Sequence, residues 1–254
     1  MEIRVLGCSG GIGAGLRTTS FLIDDDVLLD AGSGVGELTL EEMVGIRHIF
    51  LSHSHLDHIH TIPLVVDSIF DSISEPILIH ALPDTIQALQ NHIFNGVIWP
   101  DFTRLPHPER PVLRFDTMEP GEVVTLGKRQ FDMIPVNHIV PTVGYRITAP
   151  GGVFAFSGDT TTNDTFWEAL NRGERLDLLI VEAAFPNSER ELCRMARHYC
   201  PDMLAADLAK LRHRPRICLT HAKPGAEEKI FQETRTLLAG YQLDHLTGGE
   251  RFTL

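Results

Sequence analysis

The sequence predicts an α+β protein whose sheets are covered by helices. Short apolar segments of β type alternate with amphipathic segments of helical period along the whole chain. Three consecutive strand segments, 130–136, 143–148 and 153–157, are joined by short turns containing Pro or Gly, which predicts antiparallel pairing. Helical segments precede and follow this block. The 254 residues contain no linker, repeat or low-complexity tract, so we expect a single domain over residues 1–254.

The predicted strands are short, rich in Val, Ile, Leu and Phe, and bounded by Gly, Pro or Asp. In chain order they are Ile3–Leu6, Ser20–Ile23, Val27–Asp30, His48–Leu51, Ile77–His80, Gln130–Val136, Val143–Thr148, Val153–Ser157, Leu178–Glu182 and Ile217–Thr220. The pattern leaves the order of strands within each sheet open.

The predicted helices have apolar residues at helical spacing. Asn163 and Ser188 are expected as N-caps, and Pro201 suits a first helical turn. In chain order the helices are Leu38–Val44, Asp57–Ser72, Asp84–Phe94, Asn163–Arg172, Ser188–Arg197, Pro201–Arg212 and Ala226–Leu238.

Composition and charge restrict the partners. The formal net charge is −12, so a polyanion such as nucleic acid would meet a repulsive field, and Lys and Arg are scattered rather than clustered. We therefore expect a small anionic partner and no nucleic acid. No apolar run approaches the roughly 18 residues that a membrane helix needs, so no membrane contact is expected.

The N-terminus and the cysteines predict a cytoplasmic protein. The start "MEIRVLGCSGG" is strand-like and lacks a basic region followed by an apolar signal core. The four cysteines include no CxxC pair and are too few for a disulfide framework in a chain of this length. We expect buried, reduced thiols at Cys8, Cys193, Cys200 and Cys218.

The hexapeptide "HSHLDH" (53–58) is the main chemical signal of the sequence. His53 and His55 are two residues apart, so an extended segment projects both imidazoles the same way. Asp57 and His58 fall in the first turn of the next predicted helix and point differently. This arrangement can serve two metals, whereas the alternative is a solvated, incidental His-rich loop. Imidazole and carboxylate suit zinc, and also iron or manganese.

Three further candidate ligands each follow an apolar strand. His138 follows "FDMIPV", Asp159 follows "VFAFSG" and His221 follows "ICLT". Strand ends are rigid positions at which loops leave an opening for substrate. These positions complete a set of five His and two Asp that is suited to two divalent metal ions.

These motifs resemble those of the metallo-β-lactamase superfamily over nearly the whole chain. "HSHLDH" is similar to its HxHxDH motif, and "VNH", "SGDT" and "LTHAKPG" are similar to its later motifs. The resemblance implies an αββα sandwich with two mixed, mainly antiparallel sheets flanked by helices. It also implies that one metal is held by His53, His55 and His138, the other by Asp57, His58 and His221, with Asp159 bridging and Asp30 of "LLDAG" supporting the ligands.

The segment 178–208 resembles the phosphodiesterase branch of that superfamily, which includes tRNase Z and the class II cyclic-nucleotide phosphodiesterases. The resemblance implies that Glu182 pairs with His198 and that His198 contacts the phosphoryl group or leaving oxygen. A carboxylate neighbour would raise the pKa of the imidazole and fix its tautomer. Without the resemblance, the sequence would indicate only that His198 is a surface residue or lies at a helix end.

Subfamily features favour a 3′,5′-cyclic nucleotide as substrate. Leu56 and "HYCPDML" resemble the class II form, although Cys200, Thr61 and Pro63 depart from its pattern. The hypothesis is hydrolysis by a hydroxide shared by two metals about 3.5–4 Å apart. Asp57 would orient the nucleophile, and His198 with Glu182 would protonate the leaving alkoxide.

Several alternatives remain open. A tRNase Z-like endoribonuclease is the main rival, and a thioester or lactone hydrolase and a non-catalytic metal-binding module use the same scaffold. A flavodiiron-type redox role is disfavoured, because this chain has neither the Glu ligand nor the flavin domain that those proteins usually carry.

The glycine-rich loop 6–20 is either a wall of the substrate site, with Arg17 or Ser20 nearby, or a plain turn. His60 closely follows the ligand cluster. The loop 98–111 is a lid, a surface connection or a subunit contact that would make a homodimer.

Overall fold

Two seven-stranded sheets stack face to face and carry helices on both outer faces in the computed structural model, which describes residues 1–254. This is the predicted αββα sandwich. The strands, in chain order, are β1 Glu2–Gly7, β2 Ser20–Ile23, β3 Val27–Leu29, β4 His48–Phe50, β5 Ile77–Ala81, β6 Pro106–His107, β7 Arg110–Pro111, β8 Leu113–Thr117, β9 Val123–Leu126, β10 Arg129–Val136, β11 Thr142–Ala149, β12 Gly152–Phe156, β13 Leu178–Glu182, β14 Arg216–Thr220, β15 Leu243–His245 and β16 Arg251–Thr253.

The two sheets have related topologies. The first has the order β16-β1-β2-β3-β4-β5-β8, and the second has the order β15-β14-β13-β12-β11-β10-β9. Each sheet has three adjacent antiparallel pairs at one end and three adjacent parallel pairs at the other. The antiparallel prediction for 130–136, 143–148 and 153–157 is confirmed. Strands β6 and β7 form a separate two-stranded ladder within the 98–111 loop.

The α-helices, in chain order, are α1 Leu40–Gly45, α2 Leu56–Ile59, α3 Ile62–Ser68, α4 Pro83–His92, α5 Thr165–Arg172, α6 Arg190–Ala196, α7 Pro201–Leu208 and α8 Glu227–Leu237. Short 3₁₀ turns occur at Ser33–Glu37, Phe70–Ser72 and Asn187–Glu189. No helix has the length and apolar character that crossing a bilayer requires.

Alternating side chains explain why three apolar layers form. In β4, Phe50 faces the space between the sheets, whereas Ile49 and Leu51 beside it face the helices over the first sheet. In β14, Cys218 faces inward, whereas Ile217 and Leu219 face the helices over the second sheet. The central layer is rich in aromatic rings, and the Phe50 ring stacks on that of Phe131 at a centroid distance of 4.3 Å.

Two predicted helices differ from the structure. The predicted helix 57–72 is divided into α2, α3 and a 3₁₀ turn, because Pro63 has no N–H for the helical ladder and instead occupies the first turn of α3. The expected N-cap Ser188 lies within the 3₁₀ turn that precedes α6, and its hydroxyl receives a hydrogen bond from Lys229. The N-cap residue of α5 is Asp164 rather than the expected Asn163, although the Asn163 side chain accepts the Phe166 N–H at 3.0 Å.

Candidate metal centre and active site

The candidate ligands lie at one end of the sandwich, beyond the carboxyl ends of strands from both sheets. Strand β4 leads to His53 and His55, and α2 then carries Asp57 and His58. Residues beyond β10, β12 and β14 approach from the second sheet, namely His138, Asp159 and His221. Because β-strands end in fixed positions, the sheets hold these side chains close together without a continuous local motif.

The first ligand group combines three imidazoles and one carboxylate. One potential ligand atom from each of His53, His55, His138 and Asp159 lies within 4.8 Å of the others. The His138 Nε2 is 3.3 Å from the His55 Nδ1, and the His53 Nε2 is 3.8 Å from an Asp159 oxygen.

The second ligand group shares Asp159 with the first. It contains Asp57, His58, Asp159 and His221, again with ligand atoms within 4.8 Å of one another. The Asp159 Oδ2 is 3.4 Å from the His58 Nε2 and 3.2 Å from the His221 Nε2. The structure therefore brings the seven predicted ligands together as two groups that share Asp159.

Unpartnered nitrogens show that this cluster fits divalent metal ions. The Nε2 atoms of His53, His58 and His221 are buried and have no hydrogen-bond partner. Leaving such polar atoms buried and unpaired is unfavourable, and coordination of a cation would satisfy all three. Neutral imidazoles and carboxylates are the donor set of zinc, iron and manganese sites, whereas no cysteine lies in either group.

The charges of the cluster also suit cation binding. Burial lowers the pKa values of His53 and His221 well below the ordinary range, so these imidazoles are neutral. Burial acts to raise the pKa of Asp159, but His221 and His58 outweigh it and lower that pKa well below its usual value. His58 is the exception, because Asp159 and Asp30 outweigh its burial and raise its pKa. Neutral imidazole and ionised carboxylate are the states that bind metals.

Asp30 supports the ligands from behind. It is fully buried, and its Oδ2 is 2.7 Å from the His58 Nδ1, which fixes the tautomer that turns Nε2 towards Asp159. Ser52 donates to the same carboxylate from its backbone N–H and its hydroxyl, both at 2.7 Å. Asp30 therefore contacts the candidate ligand His58 directly, as a supporting residue would.

Three supporting residues have no sequence signal. The Ser52 hydroxyl lies 3.0 Å from the His53 Nδ1, and the Thr19 hydroxyl lies 3.4 Å from the His221 Nδ1. The Arg197 carbonyl accepts from the His138 Nδ1 at 2.9 Å. Serine, threonine and a backbone carbonyl are too common to mark a site, so only tertiary proximity identifies them.

Glu182 and His198 form a buried pair beside the cluster. The His198 Nδ1 is 2.7 Å from the Glu182 Oε1, and the His198 ring stacks on His221 at a centroid distance of 5.3 Å. Burial opposes protonation of His198, but the Glu182 carboxylate outweighs it and raises the His198 pKa. Glu182 also accepts the backbone N–H groups of Thr160 and Tyr199, so its own position is fixed. The pair therefore places an imidazole with a raised pKa next to the candidate ligands.

The glycine-rich loop 6–20 touches the cluster in a way that differs from the expectation. Arg17 pairs with exposed Glu37, and the buried Ser20 hydroxyl reaches only the Thr18 carbonyl, so Thr19 is the side chain that contacts His221. Gly10 packs so closely that an added Cβ would lie 2.4 Å from the His221 carbonyl oxygen. The glycine thus permits a close approach of the loop to the site.

His60 and the 98–111 loop are not part of the ligand groups. The His60 Nδ1 lies 2.8 Å from the Leu56 carbonyl, a contact within its own helical turn. The 98–111 loop carries the β6–β7 ladder.

Fold and ligand geometry together define a protein of the metallo-β-lactamase class. The chain belongs to the beta-lactamase superfamily, because the model of the family described as "Beta-lactamase superfamily domain" matches residues 26–222. The resemblance inferred from the motifs is therefore confirmed. The His and Asp clusters on this fold indicate divalent metals as cofactors.

Relatives fall in the two branches that the sequence suggested. A probable 3′,5′-cyclic-nucleotide phosphodiesterase from Yersinia pestis is 28% identical over 289 aligned residues, covering 93% of this chain and 82% of that protein. A ribonuclease Z from Thermobifida fusca is 26% identical, covering 90% of this chain and 86% of that protein. The crystal structure of unliganded yeast PDE1 superposes with a TM-score of 0.84 at 20% identity, over 100% of this chain and 99% of that chain.

Proposed function

We propose that the protein is a metal-dependent phosphodiesterase that hydrolyses a 3′,5′-cyclic nucleotide. The observation that carries this proposal is the buried Glu182–His198 pair, which holds a carboxylate-supported imidazole next to two groups of candidate metal ligands. The relatives named as cyclic-nucleotide phosphodiesterases support the substrate class.

The seven candidate ligands would hold two divalent metal ions. His53, His55 and His138 would hold one divalent ion, Asp57, His58 and His221 would hold the other, and Asp159 would contact both. Zinc fits this donor set, and manganese or iron are the alternatives. When bound, such metals lower the pKa of water towards neutrality and neutralise phosphoryl charge.

His198 is the proposed proton donor. Its Nδ1 faces Glu182, so its Nε2 is the nitrogen that can reach substrate. The Glu182 carboxylate raises the pKa of His198 and so favours the protonated ring, which can stabilise phosphoryl charge and protonate the leaving alkoxide. Glu182 is a positioning residue that acts through His198. Asp57, whose side chain is 30% exposed, can also orient the nucleophile.

A ribonuclease Z activity is the second candidate, because relatives with that name are nearly as similar as the phosphodiesterases. The net charge of −12 disfavours binding of a long polyanion such as tRNA. A small anion can still enter, since local cations at the site outweigh a distant negative field.

A metal-defined assay tests the proposal. Metal-free protein is reloaded with zinc, manganese or iron and offered 3′,5′-cyclic nucleotides, a chromogenic phosphodiester, a precursor tRNA and a thioester. We expect metal-dependent turnover of the cyclic nucleotide. Preferred cleavage of tRNA or of the thioester would favour the corresponding alternative, and full metal content without any hydrolysis would indicate a metal-binding module.

The variant His198→Ala tests the assigned proton donor. We expect turnover to fall by about 10²–10⁴-fold, the usual contribution of a positioned acid, while metal content measured by elemental analysis is retained. His245→Ala is the matched control, because His245 stacks on Phe231 and lies outside both ligand groups. Normal turnover in His198→Ala would remove this residue from the mechanism.

A further inference from the structure

Lys223 is a half-buried cation without a carboxylate partner beside the candidate metal centre. It lies in the "LTHAKPG" motif, two residues after the candidate ligand His221. Its Nζ donates to the Gly10 carbonyl at 2.8 Å, which is its one side-chain hydrogen bond. No ion pair includes Lys223, whereas Lys210 pairs with two carboxylates. In a chain with a formal net charge of −12, this unpaired ammonium is available to an anionic partner.

Hydrogen bonds hold Lys223 between two segments that approach the metal centre. Its backbone N–H donates to the carbonyl of Ala184, in the segment that follows β13, at 3.0 Å. On the other side, the Gly10 N–H donates to the Ala222 carbonyl at 2.9 Å. Gly10 also packs on His221, because a Cβ added to this glycine would lie 3.2 Å from the His221 Cδ2. The ammonium is therefore held against the part of the glycine-rich loop that contacts the His221 ring.

The charge of Lys223 acts on two imidazoles of the site. Burial lowers the pKa of His221, and the Lys223 charge adds to this effect. Burial and the Lys223 charge also act against protonation of His198, which the Glu182 carboxylate favours more strongly. Because the interaction of two charges weakens with distance, an effect on both rings places the ammonium near both. An anion that approaches these rings would also meet the Lys223 charge.

We propose that Lys223 is a further substrate-binding residue, whose ammonium contacts an anionic phosphoryl oxygen of the phosphodiester. An ammonium has three N–H donors, and the Gly10 carbonyl uses one of them, so two are free for phosphoryl oxygens. Lysine binds phosphate groups as a compact point charge. The identity of the substrate rests on the proposed function.

A purely structural role would explain the contact with Gly10 equally well, since Lys223 would then only tether the glycine-rich loop. The two roles need different chemistry. A tether needs a hydrogen-bond donor, which both glutamine and arginine provide. Anion binding needs a positive charge, which glutamine lacks and arginine keeps. The variants Lys223→Gln and Lys223→Arg therefore separate the two roles.

Binding of inorganic phosphate tests the inference without turnover. Full-length, zinc-loaded protein is titrated with phosphate in a calorimeter, and its zinc content and melting temperature are measured for each variant. Lys223→Gln should bind phosphate about ten- to 100-fold more weakly, the usual loss when a hydrogen bond to a charged group is removed. Lys223→Arg should retain most of the wild-type affinity.

Lys229→Gln is the matched control. Lys229 is an exposed residue of α8 whose Nζ also has one hydrogen bond to a neutral oxygen, the Ser188 hydroxyl, at 2.7 Å. Its substitution removes the same charge from the chain as Lys223→Gln does. Phosphate affinity should equal that of the wild type, because the lost charge is not at the site.

Salt and turnover provide readouts that loss of a tether would not reproduce. Salt screens charges at a partly exposed site, so the difference in phosphate affinity between the wild type and Lys223→Gln should shrink as salt is added. With a chromogenic phosphodiester, Lys223→Gln should lower kcat/KM by about ten- to 100-fold. Lys223→Arg should keep most of the wild-type kcat/KM.

Two results would overturn the inference. Wild-type phosphate affinity in Lys223→Gln would show that the ammonium does not bind the anion. An equal loss of affinity in Lys223→Gln and Lys223→Arg would show that the residue only tethers the loop. If the wild type binds phosphate through Lys223 but does not hydrolyse cyclic nucleotides, the proposed substrate is wrong and the anion contact stands, so the two failures are distinguishable.

Discussion

Asp30 is a buried carboxylate with no exposed surface and three hydrogen-bond donors, two of them on Ser52 and the third on His58. Its backbone has a φ of +57°, a left-handed conformation that is unfavourable for a residue with a Cβ. His221 has a φ of +63°, and its N–H donates to the Cys8 carbonyl. Both residues are thus held in a costly conformation next to the candidate metal centre, as functional positions often are.

The variant Asp30→Asn should weaken metal binding. An amide presents a donor to groups that are themselves donors, so the His58 imidazole loses its fixed tautomer. We expect an affinity loss of about 10–100-fold, measured by zinc competition against a chromogenic chelator. Asp132→Asn is the control, because Asp132 pairs with Arg146 rather than with any ligand. Equal zinc affinity in both variants would show that Asp30 does not support the ligands.

His80 should make stability depend on pH. Burial lowers its pKa to about 4, despite the facing Asp116 carboxylate and with His48 adding to the effect. Between about pH 6.5 and 4 the unfolded chain binds a proton at this position that the folded chain does not. The unfolding free energy should therefore fall as the pH falls through this range, by up to about 3 kcal/mol from this residue.

The variant His80→Phe checks this pH dependence. Phenylalanine keeps an aromatic ring against Phe50, on which His80 stacks at a centroid distance of 4.3 Å, but it cannot titrate. Denaturant unfolding at pH 7 and pH 5 should show a smaller loss of stability in the variant than in the wild type. An equal loss in both proteins would show that another group is responsible.

At the scale of elements, the strands that sequence analysis missed are mostly sheet edges. β8, β9, β15 and β16 are the four edge strands of the two sheets. None of them has more than one buried residue, since one side of an edge strand faces solvent. The central strands were predicted because they are buried on both faces and therefore read as continuous apolar runs.

The 3₁₀ turn Ser33–Glu37 offers a matched pair of glycine substitutions. A Cβ on Gly34 would lie 2.4 Å from the Ser20 hydroxyl and 2.5 Å from the Gly7 nitrogen, whereas a Cβ on Gly36 would meet nothing within 4 Å. Gly34→Ala should lower the unfolding free energy by about 1–3 kcal/mol, because the backbone must shift. Gly36→Ala should leave it unchanged or raise it by about 0.4–1 kcal/mol. Urea unfolding compares the two, and equal values would contradict the close packing of this turn against β1.

At the scale of the whole molecule, the candidate metal centre joins the two sheets. The ligands from β4 and α2 belong to the first sheet layer, and those beyond β10, β12 and β14 belong to the second. Metal binding should therefore stabilise the packing of one sheet on the other.

Metal removal should lower the melting temperature. A ligand that binds only the folded state contributes about 2.7 kcal/mol at a concentration 100 times its Kd. Scanning calorimetry of metal-free protein should show a higher melting temperature with zinc. Calcium at the same concentration is the control and should have little effect, because calcium prefers oxygen ligands to imidazole. Equal shifts with both ions would argue against a site built from imidazoles.

The sequence by itself determined the class of fold, the central strands and the seven candidate ligands. The reason is that buried strands and the "HSHLDH" motif leave local patterns of composition and spacing. Tertiary structure alone brought the ligand atoms of each group within 4.8 Å of one another, and it alone revealed the supporting contacts of Ser52 and Thr19. Such contacts join residues that are distant in the chain, and their distances depend on how the sheets stack, which no local pattern encodes.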